Sequence, residues 1–243
     1  MKLIPFLLLS IFASYGQNYK LSYEIVEYYD IPVDSKFTEG QKRRIKAWKR
    51  DFQDIGKDLK INIISNGNSY YYKLTSVLSS DNNRNPYKRP AVLGKLGLYE
   101  NVYFKGDSTF YHYNTSKFVT KVNHDLLNWQ ITGNTQLIDG FLCYEAKSMV
   151  LEEYNLGFHA SSLIAWFCPD LNIKGGPTRF GDLPGLIITL QNKFIKIKLS
   201  ELKEVEDELM IPLKEFCDKK EIYNFNKAQE YHEKVGRMIE GKS

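Results

Sequence analysis

Cysteine and histidine are scarce in this chain, with three of the first and four of the second among 243 residues. His112, His124, His159 and His232 are scattered. No pair of them has the helical or strand spacing of a metal-ligand set, so a metal site would need assembly from distant segments and none is expected. An excess of one charge is also missing. Thirty-three basic residues against 29 acidic leave +4, which gives no reason to expect a nucleic-acid partner. Past residue 12 no apolar run approaches the roughly 20 residues a membrane-crossing helix needs. The chain has no G-x-S-x-G elbow, no H-E-x-x-H, no Walker loop and no dinucleotide fingerprint after a strand. The commonest hydrolase, metalloprotease, nucleotidase and dehydrogenase signatures are therefore absent, and no cofactor is expected. Neither repeats nor an interdomain linker break the sequence.

What is present begins with an export signal. Lys2 is a minimal basic start, Leu3 to Phe12 is apolar apart from Pro5 and Ser10, and Ser14-Tyr15-Gly16 sets small residues at the cleavage subsites. Cleavage after Gly16 leaves a mature chain of 17–243, expected to form one domain, periplasmic or secreted. No cysteine lies near the cut, which argues against a lipid anchor.

Tyrosine and phenylalanine are abundant, at 17 and 14, and favour strands. Tyr19 to Tyr29 alternates and opens the fold. Thr38 and Gln41 have capping-box spacing, and Ile45, Trp48, Phe52 and Ile55 follow as one apolar stripe, with Gly56 as the stop. Lys42, Arg43, Arg44, Lys46, Lys49 and Arg50 cover the rest of that helix. They read either as a solvated face or as a patch for anionic lipid or phosphate. Asn66-Gly67 marks a hairpin between Leu59–Ile63 and Ser69–Thr75. Ser79 to Pro90 reads as a loop. Hairpins follow around Gly106-Asp107 and Asn155-Leu156, and Gly140 starts a strand. Ser200 to Glu208 reads as an acidic connector, Leu213 to Cys217 as a short helix, and Asn226 as the cap of a last helix. The sum is a mainly β (α+β) fold: an open, curved antiparallel sheet or half-barrel with two or three flanking helices.

One stretch organises the rest: Gly175-Gly176-Pro177-Thr178-Arg179-Phe180-Gly181-Asp182-Leu183-Pro184-Gly185-Leu186-Ile187-Ile188. Pro184-Gly185 suits the centre of a type II turn, and Leu186 to Leu190 reads as a strand buried on both faces. Pro177 lacks the N–H a phosphate cradle wants, so the glycines read as a structural corner. From Leu126 to Leu199 the chain resembles the GLPGLI family, small exported proteins of Bacteroidetes. The resemblance is carried by Trp129-Gln130-Ile131, Thr135 to Phe141 with Cys143 and Ala146, Ala165 to Asp170, and Gly176-Pro177. Its last part is Phe180-Gly181-Asp182-Leu183-Pro184-Gly185-Leu186-Ile187, in which Asp182 replaces a glycine of the naming motif. That family brings no assigned activity. Its layout is similar to the open sheets of exported lipoprotein carriers.

A turn at Asn155-Leu156 sets Cys143 opposite Cys168, at a separation of about 4.5–5.5 Å between cross-strand neighbours, within disulfide reach. A bridge between them, or two small buried apolar residues, are the two readings. Trp129 and Trp166 are core residues or the lining of an apolar groove, with Phe180, Leu183 and Leu186 at its rim and Arg179 as a placed polar group. The expected function is a non-enzymatic exported binding protein that holds a hydrophobic moiety, acyl chain or peptide. The alternatives are a protein-interaction module with a filled core and an envelope enzyme with a novel site.

Overall fold

The computed structural model describes residues 17–30, 35–57, 59–76, 88–99, 101–112, 118–124, 128–154, 157–206, 211–228, 230–231 and 234. The expected export signal, residues 79–87 of the expected loop, and Asn155 and Leu156 of the expected turn lie outside them.

Strand β1 (Asn18–Tyr28) is central. It pairs antiparallel with β2 (Leu59–Ser65) on one side and β11 (Ile195–Val205) on the other. Leu21 and Tyr23 point into the core, and β2 alternates with Leu59, Ile61 and Ile63 inward. Helix α1 (Glu39–Gly56) starts at the predicted capping box: the Thr38 hydroxyl accepts from Gln41 N–H at 3.2 Å, and the Gln41 side chain accepts from Thr38 N–H at 2.8 Å. Its stripe seats Phe52 fully and Trp48 and Ile55 partly against that core.

From β2 the sheet continues outward through β3 (Tyr70–Ser76), β4 (Asn101–Lys105), β5 (Ser108–His112) and β6 (Phe118–Asn123). Gly67 and Gly106 take the positive φ that their hairpin turns require. Beyond β11 it continues through β10 (Leu186–Gln191), β9 (Gly157–Cys168), β8 (Phe141–Tyr154) and β7 (Gln130–Ile138). A last strand, β12 (Glu221–Asn224), lies parallel to β6 and closes the far edge. The expected mainly β, open sheet is thus present with twelve strands. One parallel pair makes it mixed rather than wholly antiparallel.

Several local expectations change. Lys88–Lys95 forms helix α2, with Pro90 in the first turn where its missing N–H costs nothing. The supposed connector after Ser200 is strand as far as Val205, because its backbone pairs with Asn18–Ser22 of β1. Helix α3 (Leu213–Cys217) forms as expected. The last helix begins at residue 225, and its cap is Asn224, whose side chain accepts from Lys227 N–H at 2.8 Å; Asn226 lies inside it. Before β8 stands β7, turned back by Asp139 and Gly140 at φ 53° and 86°. Both in the left-handed region make a type I′ hairpin.

The β8–β9 register pairs Tyr144 with Phe167 and Tyr154 with Gly157, as the turn at 155–156 predicts. Cys143 and Cys168 are accordingly opposed and both fully buried, but they are free thiols, so of the two readings the bridge is not formed. They pack as small apolar side chains in the main core, with the Cys143 sulfur donating to the Phe141 carbonyl at 3.5 Å.

Candidate functional site

Residues 175 to 181 of the organising stretch are buried one after another. A buried loop must hand every backbone polar group a partner, and here the sheet supplies them as side chains. Ser65 at the end of β2 donates to the Lys174 carbonyl at 2.8 Å, and Lys174 N–H reaches the Gly67 carbonyl at 2.7 Å. The Tyr70 hydroxyl of β3 donates to the Thr178 carbonyl at 3.4 Å, the Thr109 hydroxyl of β5 to the Arg179 carbonyl at 3.2 Å, and the Trp129 indole to the Gly181 carbonyl at 2.9 Å. Ile187 N–H returns to the Gly175 carbonyl at 3.2 Å. The loop is therefore a strap that ties β10 to β2, β3 and β5 and to the lead-in of β7.

Glycine fits at two of these points for reasons of space. A Cβ on Gly181 would lie 2.7 Å from the Phe104 ring and 2.8 Å from the Tyr70 hydroxyl. One on Gly176 would lie 2.9 Å from Ile187 Cδ1. Tyr70 and Phe104 themselves stack at 4.7 Å, so there is little room to yield.

Pro184-Gly185 does not make the type II turn. Gly185 N–H donates to the Leu183 carbonyl at 2.8 Å, a three-residue γ-turn about Pro184, and Leu186 N–H is taken by the Leu171 carbonyl at 3.2 Å. The Leu171 carbonyl thus captures the donor that a type II turn would have used. The following strand is buried on both sides as expected, with Leu186 and Ile188 in the main core and Ile187 and Leu190 in a second cluster.

That division also separates the residues expected to line a groove. Trp129, Phe180 and Leu183 pack together in the second cluster with Ala146, Phe167 and Ile187. Trp166 and Leu186 belong to the main core. Phe180, Leu183 and Leu186 are buried rather than at a rim. Arg179 is buried too, its guanidinium 5.3, 5.2 and 4.9 Å from the Tyr99, Tyr111 and Phe180 ring centres and donating to the Tyr111 hydroxyl at 3.1 Å.

Asp182 holds a positive φ of 69°, which Asp tolerates better than most residues. Its carboxylate lies 3.3 Å from Lys174 Nζ and 3.8 Å from His124 Nδ1. His124 Nε2 lies 2.8 Å from Thr109 Oγ1, and the ring stacks on Phe104 at 4.5 Å. An Asp–His–Thr order suggests a nucleophile, but Thr109 is 1% exposed and spends its proton on the Arg179 carbonyl. The cluster positions the strap. Sequence spacing hid it, since Asp182 stands far from both partners in the chain.

The exposed chemistry lies elsewhere. Eight of the nine β7 residues are exposed, and none is charged. Ile131 and Leu137 are 54% and 70% exposed; their cross-strand partners Ala146 and Leu142 lie on one face of β8. A bulge separates the two parts of β7, with Gly133 at φ 84°. Glu145 of β8 organises it, accepting from the Thr132 hydroxyl and the Asn134 amide at 2.8 Å each. Those hydrogen bonds, with Lys147 beside them, hold its carboxyl below the usual range. Among the described residues no three His, Cys, Asp or Glu groups converge to hold a metal ion, and no helix is long and apolar enough to cross a membrane.

No family model matches the chain, and no curated protein does. Among solved structures, PNGF-II in a C2 crystal is similar at 14% identity and a TM-score of 0.48, over 91% of this chain and 33% of that one. The P21 form gives 14% and 0.46, over 86% and 31%. An uncharacterized conserved protein from Thermus thermophilus gives 4% identity and a TM-score of 0.33, over 86% of this chain and 91% of that one. The chain thus spans about a third of the PNGF-II chain, and at these scores the likenesses carry no argument about function.

Proposed function

We propose that the chain is an exported, non-catalytic binding module of the cell envelope, of the GLPGLI type, and that it takes an extended segment of a partner protein along β7. The observation that carries this reading is the edge itself. Edge strands are ordinarily guarded by charges or proline; Gln130–Ile138 has neither, and it offers Ile131 and Leu137 to solvent. Its bulge confines the free ladder to Gln130-Ile131 and Thr135–Ile138. A strand added there gains main-chain hydrogen bonds, and apolar residues at alternate positions cover the exposed side chains. The hydrophobic ligand expected from the sequence is then a peptide segment. An acyl chain held in a groove has less support, because the residues named for that groove pack in two separate clusters.

Photocrosslinking in intact cells tests the reading, with the probe at position 137 and, as control, at exposed Glu27. The expected result is a polypeptide adduct from 137 alone, lost in Ile131→Lys, with slowed amide exchange at alternate residues of 135–138 in the complex. Equal adducts from both positions, or lipid adducts only, overturn it.

A further inference from the structure

We infer that His124 and Asp182 form a proton-operated latch that sets how tightly the strap 174–187 is seated on β5 and β6. The hydrogen-bond network assigns the tautomer. Thr109 Oγ1 has one proton and gives it to the Arg179 carbonyl at 3.2 Å. It therefore accepts from His124, which places the imidazole proton on Nε2, 2.8 Å away. In the neutral ring Nδ1 then presents a lone pair toward Asp182 Oδ1 at 3.8 Å, a distance too long for a hydrogen bond. A second proton goes to Nδ1 and turns that approach into a charge-assisted donor–acceptor pair.

Two contacts hold the ring and its backbone in place. It stacks on Phe104 at 4.5 Å, and its own backbone N–H is held by the Asp107 carbonyl at 2.9 Å. The charges around it are mixed. Asp182 on the strap and Asp107 on the β4–β5 turn favour the imidazolium, Lys174 on the same Asp182 oxygen opposes it, and Lys121 of β6 acts on Asp107. Tyr70 of β3, beside Asp182, remains a neutral hydroxyl because burial raises its pKa well above the ordinary value. Lys174 and His124 approach the same carboxylate oxygen, so acidification adds a second cation to an anchor already in use. Asp182 belongs to the strap, whereas Thr109 lies in β5 and His124 directly follows β6, so the added contact clamps the strap to the sheet.

Amide exchange of the full chain, corrected for intrinsic rates and followed over 174–187 at about pH 5 and about pH 8, tests the inference. The expected outcome is about fivefold greater protection in acid, the size of a contact worth about 1 kcal/mol. Asp182→Asn should abolish the difference, since asparagine keeps the positive φ and removes the charge. His124→Gln should abolish it too, and if that variant fails to fold the asparagine variant still decides. Equal protection at both pH values in the parent chain overturns the latch. So does an undiminished pH response in Asp182→Asn.

Discussion

Gly185 lies so close to Cys168 that a Cβ built on it falls 2.2 Å from the Cys168 carbonyl oxygen. Its φ is +144°, inside the range that side chains rarely adopt. Gly185→Ala therefore meets strain and a backbone wall together and should cost about 3 kcal/mol or more. Gly133 in β7 is the control: its φ is +84° but nothing lies within 4 Å of its added Cβ. Gly133→Ala should cost only about 1 kcal/mol. Urea midpoints of the two variants check the ranking, and equal losses would show that the approach to Cys168 is slack.

The last helix offers a discrimination between two asparagines. Asn224→Ala removes the acceptor for Lys227 N–H and should cost about 1 kcal/mol locally. Asn226→Ala lies inside the helix and should stay within about 0.5 kcal/mol. Amide exchange over residues 225–228 reads the difference.

Cys143 gives a pH dependence. Burial, then the neighbouring Cys168, push its thiol up to about 11 from 9.0. Between those values the unfolded chain gives up the proton first, so stability is intact below pH 9.0 and falls as the pH rises toward 11. Buried Tyr23, Tyr70 and Tyr72 are raised as well and act in the same direction. The urea midpoint should fall between about pH 8 and about pH 10.5, with a shallower slope in Cys143→Ala. In native protein near neutral pH, iodoacetamide should label Cys143 far more slowly than after unfolding.

Where local chemistry decides the outcome, the sequence was readable. Thr38 and Gln41 cap α1, Asn66-Gly67 turns a hairpin, and the reversal expected between Tyr154 and Gly157 gives the register that sets Cys143 across from Cys168, because each needs only near neighbours. Strand β7 escaped because Gly133 and the two-part bulge break its alternation; the Asp139-Gly140 pair beside it was the missed signal. Pro184-Gly185 has the residues of a type II turn, but the Leu171 carbonyl captures Leu186 N–H from outside the turn. The Ser200–Val205 strand exists only because β1 lies beside it, which charge-rich local composition conceals. The strap's partners Ser65, Tyr70, Thr109 and Trp129 are spread over about a quarter of the chain, well before the strap itself, and no spacing rule joins them.

The central place of β1 has a consequence for biogenesis. Its two neighbours are β2, which emerges next, and β11, which completes only at Val205. A chain synthesised from its N-terminus therefore carries an unzipped flank along Asn18–Tyr28 throughout most of its synthesis. Tyr23 waits equally long for Ile187, whose carbonyl its hydroxyl reaches at 2.7 Å. Final closure is a long-range, late event, and slow maturation follows from the topology alone.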